Sequence, residues 1–299
     1  MSGWLDRLYL GESKRLTEAE RATIPGAYIE LSDGVTRYEL GGPEGGPPVV
    51  LVHGFSGPYF IWDETFAGLT AAGFRVLRYD LYGHGYSDRP QLPYAKALFV
   101  RQLEELLDAL DIPKAHLVSL SMGGVVAAEI VDRNPGRVDK LAFIDPAGFE
   151  LGLSLTARAL KLPLVGEIIL GVLGLFGNKK LIQAMVDDFF KKDKVLIENF
   201  VPQYEAQMQY QGFKRALLSS FREGMLDDQH EIYGAVGASG KPVLLIWGEE
   251  DETVPYLHHE LFQRLAPQTE FHAIPETAHI PHVERPELVN PILIKFLRS

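Results

Sequence analysis

Residues 114–124, Lys-Ala-His-Leu-Val-Ser-Leu-Ser-Met-Gly-Gly, constrain this chain more than any other stretch. An apolar run rises into Ser119-x-Ser121-x-Gly123, and a small-residue run of helical character, Val125 to Val131, begins at once. A strand that turns directly into a helix forces unusual backbone angles on its corner residue. It also brings the two backbones so close that the residues two before and two after the corner must be small. Ser121 stands at that corner and is predicted to be a nucleophile. Ser119 stands where such a turn usually has glycine, and a hydroxymethyl group is about the largest side chain expected there. A phosphate-cradling loop would want Lys after the glycines, and this chain has Val125.

The flanking sequence supplies further strands. Ala27 to Leu31 and Val35 to Leu40 alternate like a hairpin about Ser32-Asp33-Gly34, after an expected amphipathic leader helix. Pro48 to Val52, Phe74 to Tyr79, Lys140 to Ile144, Pro242 to Trp247 and Glu270 to Ile274 read as further strands, the first a continuous apolar run of the fully buried kind. Helical patterns fall between them at Ile61 to Ala72, Lys96 to Leu110, Tyr256 to Leu265 and in a final helix ending at Leu297. Such alternation predicts an α/β fold, a mostly parallel sheet with helices on both faces. From Ala147 to about Val236 the alternation stops and the pattern is helical throughout. The predicted division is therefore a core of residues 1–146 and 237–299 with a helical cap, 147–236, inserted in it.

The 299 residues, 46% of them hydrophobic, can bury a full core. A formal net charge of -11 argues against nucleic acid as a partner, because phosphates call for clustered Lys and Arg. Cys is absent, which removes disulfides, thiolate metal sites and a cysteine nucleophile. The first residues lack a basic region followed by an apolar one, and no apolar run approaches the roughly 18 residues of a spanning helix. These features point to a soluble protein and suit the cytoplasm.

Other motifs sit in a recognisable order around the serine corner. His53-Gly54-Phe55-Ser56-Gly57 follows the first buried strand. Asp80-x-x-Gly83-x-Gly85-x-Ser87 follows the second. Gly248-x-x-Asp251-x-x-Val254-Pro255 and Ala278-His279 come last, with Ala278 in place of a usual glycine. In these motifs and in their order the chain resembles the α/β-hydrolase superfamily over nearly its whole length, and Pro146-Ala147-Gly148 with the apolar cap looks like its carboxylesterase and monoacylglycerol-lipase relatives, which are serine hydrolases.

The resemblance implies a triad of Ser121, Asp251 and His279. A serine hydroxyl is a poor nucleophile until an imidazole takes its proton, and the imidazole needs a carboxylate to fix its tautomer. In this fold the chain order is serine, acid, histidine. Asp145, at the end of its strand, is the main rival for the acid, beside Glu249, Glu250 and Glu252 in the Asp251 loop. His282, His272, His53 and His84 lead the rivals for the base, with the four other histidines behind them. The backbone N–H groups of Phe55 and Met122 are expected to hold an oxyanion. Phe55, Leu173 and Phe176 are expected to line the substrate pocket, with the apolar run Ile168 to Phe176 packed on the core rather than facing lipid interfaces as a lid. No metal and no organic cofactor is implied. The expected activity is hydrolysis of short- to medium-chain acyl esters, small-molecule substrates, through an acyl-enzyme. Hydrolysis of a carbon–carbon bond in a vinylogous diketone, or a triad-bearing ligand receptor with little turnover, are the alternatives.

Overall fold

The computed structural model describes residues 9–152, 154–175, 178–190 and 194–299, the side chains of 173–175 apart. Eight strands form one sheet: β1 (Ala27–Leu31), β2 (Gly34–Gly41), β3 (Pro48–Val52), β4 (Arg75–Tyr79), β5 (Ala115–Leu120), β6 (Val138–Ile144), β7 (Val243–Gly248) and β8 (Glu270–Ile274). Their order across the sheet is β1-β2-β4-β3-β5-β6-β7-β8. The hairpin β1–β2 and the pair β2–β4 are antiparallel, and every pair from β4 to β8 is parallel. β5 lies mid-sheet between β3 and β6, so the serine corner stands at the centre of the fold.

Unbroken apolar strands suit a sheet covered on both faces, because alternate residues then enter two different cores. Val50, Val52, Ala115 and Leu117 pack with the helices Lys96–Ala109, Met122–Arg133, Glu231–Ala238 and His258–Leu265. Val49, Leu51, Val118 and Leu120 pack on the other face, with Asp63–Ala71 and Pro286–Arg298.

Between β6 and β7 lie the helices Leu155–Leu160, Val165–Leu175, Lys179–Asp187, Lys194–Met208 and Phe213–Arg222, ahead of Glu231–Ala238. Met185, Phe189, Phe200 and Tyr204 from this stretch join the core side chains Phe60, Ile61 and Ile280 in one apolar cluster. The helix Val165–Leu175 departs from the expected packing. Leu170 is turned inward, but Val165, Ile168 and Val172 are exposed. They recur at i, i+3 and i+7, which places them on one outward face.

The leader also differs from expectation. Its described part holds only a one-turn helix, Glu18–Arg21, and a bridge from Lys14 to Tyr210. Glu12 turns inward instead and accepts the Gly212 and Lys214 N–H groups, each at 2.7 Å, at the start of Phe213–Arg222. A carboxylate there satisfies donors that a helix start leaves bare, so the segment is tied to another helix rather than forming its own. Among the described residues no helix is long and apolar enough to cross a membrane.

Candidate active site

Parallel strands end on one edge of their sheet, and the loops beyond that edge are where open α/β sheets bind ligands. The loop of His53 to Gly57 follows β3, Ser121 follows β5, Asp145 follows β6, Asp251 follows β7 and His279 follows β8. Topology alone therefore gathers residues more than 200 positions apart in the chain.

Ser121 has φ 51° and ψ −121°, a conformation side chains avoid and one that costs about 1–3 kcal/mol. Three hydrogen bonds hold it: its N–H donates to the Ile144 carbonyl at 3.1 Å, and its carbonyl accepts from Gly124 at 2.8 Å and Ala147 at 3.0 Å. At Gly123 a Cβ would lie 2.4 Å from the Val52 carbonyl oxygen and 2.6 Å from that of His53, so glycine is required. On the other side of the corner Ser119 has room for its hydroxymethyl group. It is fully buried and its hydroxyl donates to the Ala142 carbonyl at 3.3 Å, which explains how the corner accommodates it. Met122 opens the helix, so its N–H is one of the four that have no intrahelical acceptor.

The structure brings His279 and Asp251 together. His279 Nδ1 bonds Asp251 Oδ2 at 2.8 Å, and Asp251 Oδ1 accepts the Thr253 and Val254 N–H groups at 2.8 and 3.0 Å. An imidazole held through Nδ1 has Nε2 for proton transfer. Burial alone would push this imidazole down. The charge and hydrogen bond of Asp251, with Asp188 and Glu284 behind them, outweigh burial and carry it to about 9. Asp145 is not hydrogen-bonded to His279 and instead accepts the Gly248 N–H at 2.9 Å. One atom each of Asp145, Asp251 and His279 lies within 4.8 Å of the others, close enough to surround a cation. Both Asp251 oxygens and His279 Nδ1 are, however, already engaged in hydrogen bonds, so these atoms are not a free ligand set.

The rival histidines are otherwise occupied. His282 packs against Trp62, ring centroids 4.4 Å apart, and burial pushes it down to about 3. His53 donates from Nδ1 to the Gly54 carbonyl at 2.8 Å and accepts the Leu81 N–H at Nε2, also at 2.8 Å. That fixes its tautomer and makes it a brace between two loops. His272 lies on β8 and pairs with Glu270. Asp80 likewise braces, accepting the Tyr59 and Tyr86 N–H groups at 2.9 Å each.

Ser121 and His279 open onto one cavity of about 410 Å³, walled by Phe55, Leu181, Met185, Phe200 and Leu217 among others. A second chamber of about 220 Å³, lined by apolar side chains and by Lys214, shares Phe55, Leu181, Leu217 and Leu226 with the first. Phe55 thus lines both spaces. The Leu173 side chain and Phe176, also expected at the pocket, lie outside the described residues.

Several contributors were missed at the level of sequence. Asp188 lines the cavity, its carbonyl accepts the His279 N–H at 3.2 Å and its carboxylate accepts the Thr253 hydroxyl at 2.7 Å. Burial is the main reason its carboxyl is raised. The Tyr204 and Ser56 hydroxyls meet at 3.0 Å, and Gln207 ties the Ser56 carbonyl at 2.9 Å to the Gly85 N–H at 2.7 Å. These contacts depend on how the helical stretch docks. No local pattern announces that.

Comparison with known proteins agrees with this architecture. A dihydrolipoyllysine-residue acetyltransferase component of an acetoin cleaving system from Pseudomonas putida is 33% identical over 88% of this chain, which spans 66% of that relative's length, just under two thirds. A 2-hydroxy-6-oxononadienedioate/2-hydroxy-6-oxononatrienedioate hydrolase from Comamonas testosteroni is 26% identical over 85% of this chain and 88% of its own. Among solved structures, a meta-cleavage product hydrolase from Pseudomonas fluorescens IP01 is similar with a TM-score of 0.74 at 25% identity, over 91% of this chain and 97% of its own. Residues 47–286 match the alpha/beta hydrolase fold family, and the chain belongs to that family of hydrolases.

Proposed function

We propose that the protein hydrolyses carboxylic esters through an acyl-enzyme, with residues 147–236 as a cap over the site. The observation that carries this reading is the Asp251-held His279 sharing an apolar cavity with Ser121 at its strained corner. Ser121 Oγ attacks the ester carbonyl carbon and passes its proton to His279 Nε2. The Phe55 and Met122 N–H groups take up the negative charge on the carbonyl oxygen, a contribution of about 3–4 kcal/mol per donor in such sites. His279 then protonates the leaving alkoxide and the alcohol departs. Water, deprotonated by the same imidazole, attacks the acyl-enzyme and frees the acid.

The choice of ester over a carbon–carbon bond rests on charge. The relative from Comamonas testosteroni is named for a dienedioate, a substrate bearing carboxylates. Among the described residues lining this cavity there is no Lys or Arg, while Asp187 and Asp188 are present. His279, which also lines the cavity and is raised toward the cation, is already paired with Asp251, so an anionic substrate would meet Asp187 and Asp188 without an uncommitted positive charge to offset them. The apolar chamber beyond Phe55 and Leu217 offers an acyl chain about 0.8 kcal/mol per buried methylene, which supports a preference for short to medium chains.

Turnover of a p-nitrophenyl acyl ester series tests the reading, together with an organophosphonate probe. The expected result is fast turnover and a single adduct at Ser121. Ser121→Ala should lose on the order of a millionfold in rate while keeping the fold. Labelling at Ser119 or Ser56, or turnover confined to carboxylate-bearing diketones, would defeat the proposal.

A further inference from the structure

Asp145 is the carboxyl at the catalytic edge to which the proposed chemistry gives no task. It is fully buried and has φ +41°, in the positive-φ region that few non-glycine residues enter and that Asp tolerates better than most. Oδ1 accepts the Gly248 N–H, whereas Oδ2 is buried and meets no donor among the described residues. An Asp145 oxygen nevertheless lies within 4.8 Å of Asp251 and His279. An unsatisfied buried polar atom costs about 1–3 kcal/mol, and more if charged. An ionised Asp145 would suffer twice, from a bare oxygen and from a second negative charge facing Asp251.

We propose that Asp145 carries a proton on Oδ2 and donates it to the Asp251 carboxylate, so that it is a positioning residue for the triad acid. Donor count decides which carboxyl keeps the proton. Asp251 collects two backbone N–H groups and the imidazole, and Asp145 collects one N–H. Negative charge settles on the better-satisfied group. Burial first, then the Asp251 charge, lift the Asp145 carboxyl well above the usual carboxylate range, and Glu284 acts in the same direction. The titratable groups that face this pair are His279, Glu284, Asp188 and His258, and of the two imidazoles His279 is raised toward the cation while burial holds His258 down.

The consequence concerns the base. A neutral Asp145 leaves one charge, that of Asp251, directly against the imidazole, and its hydrogen bond holds the carboxylate in the orientation His279 needs. A second ionised carboxylate would lift His279 beyond its value of about 9 and shrink further the fraction able to take the Ser121 proton at neutral pH. The purpose of the device rests on the acyl-enzyme reading. Its test does not.

The test compares the wild-type protein with Asp145→Asn at neutral pH by infrared difference spectroscopy and by NMR titration of the His279 ring. The amide keeps a donor toward Asp251 and, like the acid, is neutral. The expected result is a protonated-carboxyl band, sensitive to D₂O, that the variant loses, and a His279 midpoint that moves by less than about half a pH unit. Absence of that band, or a midpoint that falls by about a unit or more, shows an ionised Asp145 and overturns the proposal. Neither readout requires turnover. A wild-type protein that forms no Ser121 phosphonate adduct would therefore remove the hydrolase reading and leave this answer standing.

Discussion

At the sheet edge, a methyl group added to Gly123 would meet the Val52 carbonyl oxygen at 2.4 Å, whereas on the helix Val165–Leu175 three apolar side chains lie open to solvent. The edge is over-determined by backbone. Ser121 is held by three hydrogen bonds, Gly248 faces the Ala278 carbonyl so closely that a Cβ would sit 2.1 Å from it, and Asp251 has both oxygens engaged. The inserted stretch meets that edge through apolar packing and through side-chain hydrogen bonds such as those of Asp188, Tyr204 and Gln207. The contrast separates two tasks. Chemistry needs atoms fixed to within fractions of an ångström, and such fixing comes from close backbone approach. Substrate choice needs walls, and walls of leucine and phenylalanine can be rebuilt without disturbing the reacting atoms.

Substitutions can break that division, and the largest effect is expected at the acid. Asp251→Asn should lower kcat/KM by about 10⁴, because the amide favours the wrong His279 tautomer. Asp145→Asn should stay within roughly tenfold of wild type. A larger loss in Asp145→Asn would move the catalytic carboxylate to the end of β6. Next comes backbone fit. Gly123→Ala should destabilise the protein by about 3 kcal/mol in urea unfolding, while Ser119→Gly should change it by less than about 1 kcal/mol. Equal effects would mean that the two sides of the corner are equally crowded.

A smaller effect sharpens the boundary between edge and insert. His279 must lose its proton to serve as a base, so with the imidazole raised to about 9, kcat/KM should climb through the neutral range and level off on the alkaline side. Asp188→Asn removes a negative charge that favours the imidazolium, so the rise should move to lower pH by up to about a unit. A rise that stays in place would deny the insert any electrostatic hold on the base. The smallest effect belongs to the walls. Leu226→Trp, at the partition between the two chambers, should cut kcat/KM for the longer acyl esters several-fold, within the roughly tenfold range that two methylenes can contribute. Phosphonate labelling of Ser121 should be unchanged, and an equal loss across chain lengths would show that the partition shapes the catalytic geometry itself.

What the sequence reveals follows the same division. The strands, their buried character, and the order of Ser121, Asp251 and His279 are legible because each depends on local pattern or on a short motif. The hairpin turn at Ser32-Asp33-Gly34 is legible for the same reason, since Gly34 opens β2 at φ 145°, a value that suits glycine. Asp188 and Gln207 are not, because their roles arise from contacts 65 and 151 positions away in the chain. The leader is a related case. Its polarity suggests a helix face, and Glu12 is drawn off to the start of a distant helix. The exposed face of Val165, Ile168 and Val172 could not be told from a buried one, because apolar periodicity records which residues share a side but not what covers that side.

Asp188 has one further consequence. It holds the His279 loop through its carbonyl and the Asp251 loop through the Thr253 hydroxyl, while standing on the segment that closes the cavity. Swinging that segment outward to admit a substrate or release a product would withdraw both holds at the same moment. An open molecule would thus be a slack one, with its base and acid loosened while bulk water has access, and it would regain its alignment only on closing. A segment that both walls the cavity and latches the two loops would leave the protein least able to react when it is most exposed.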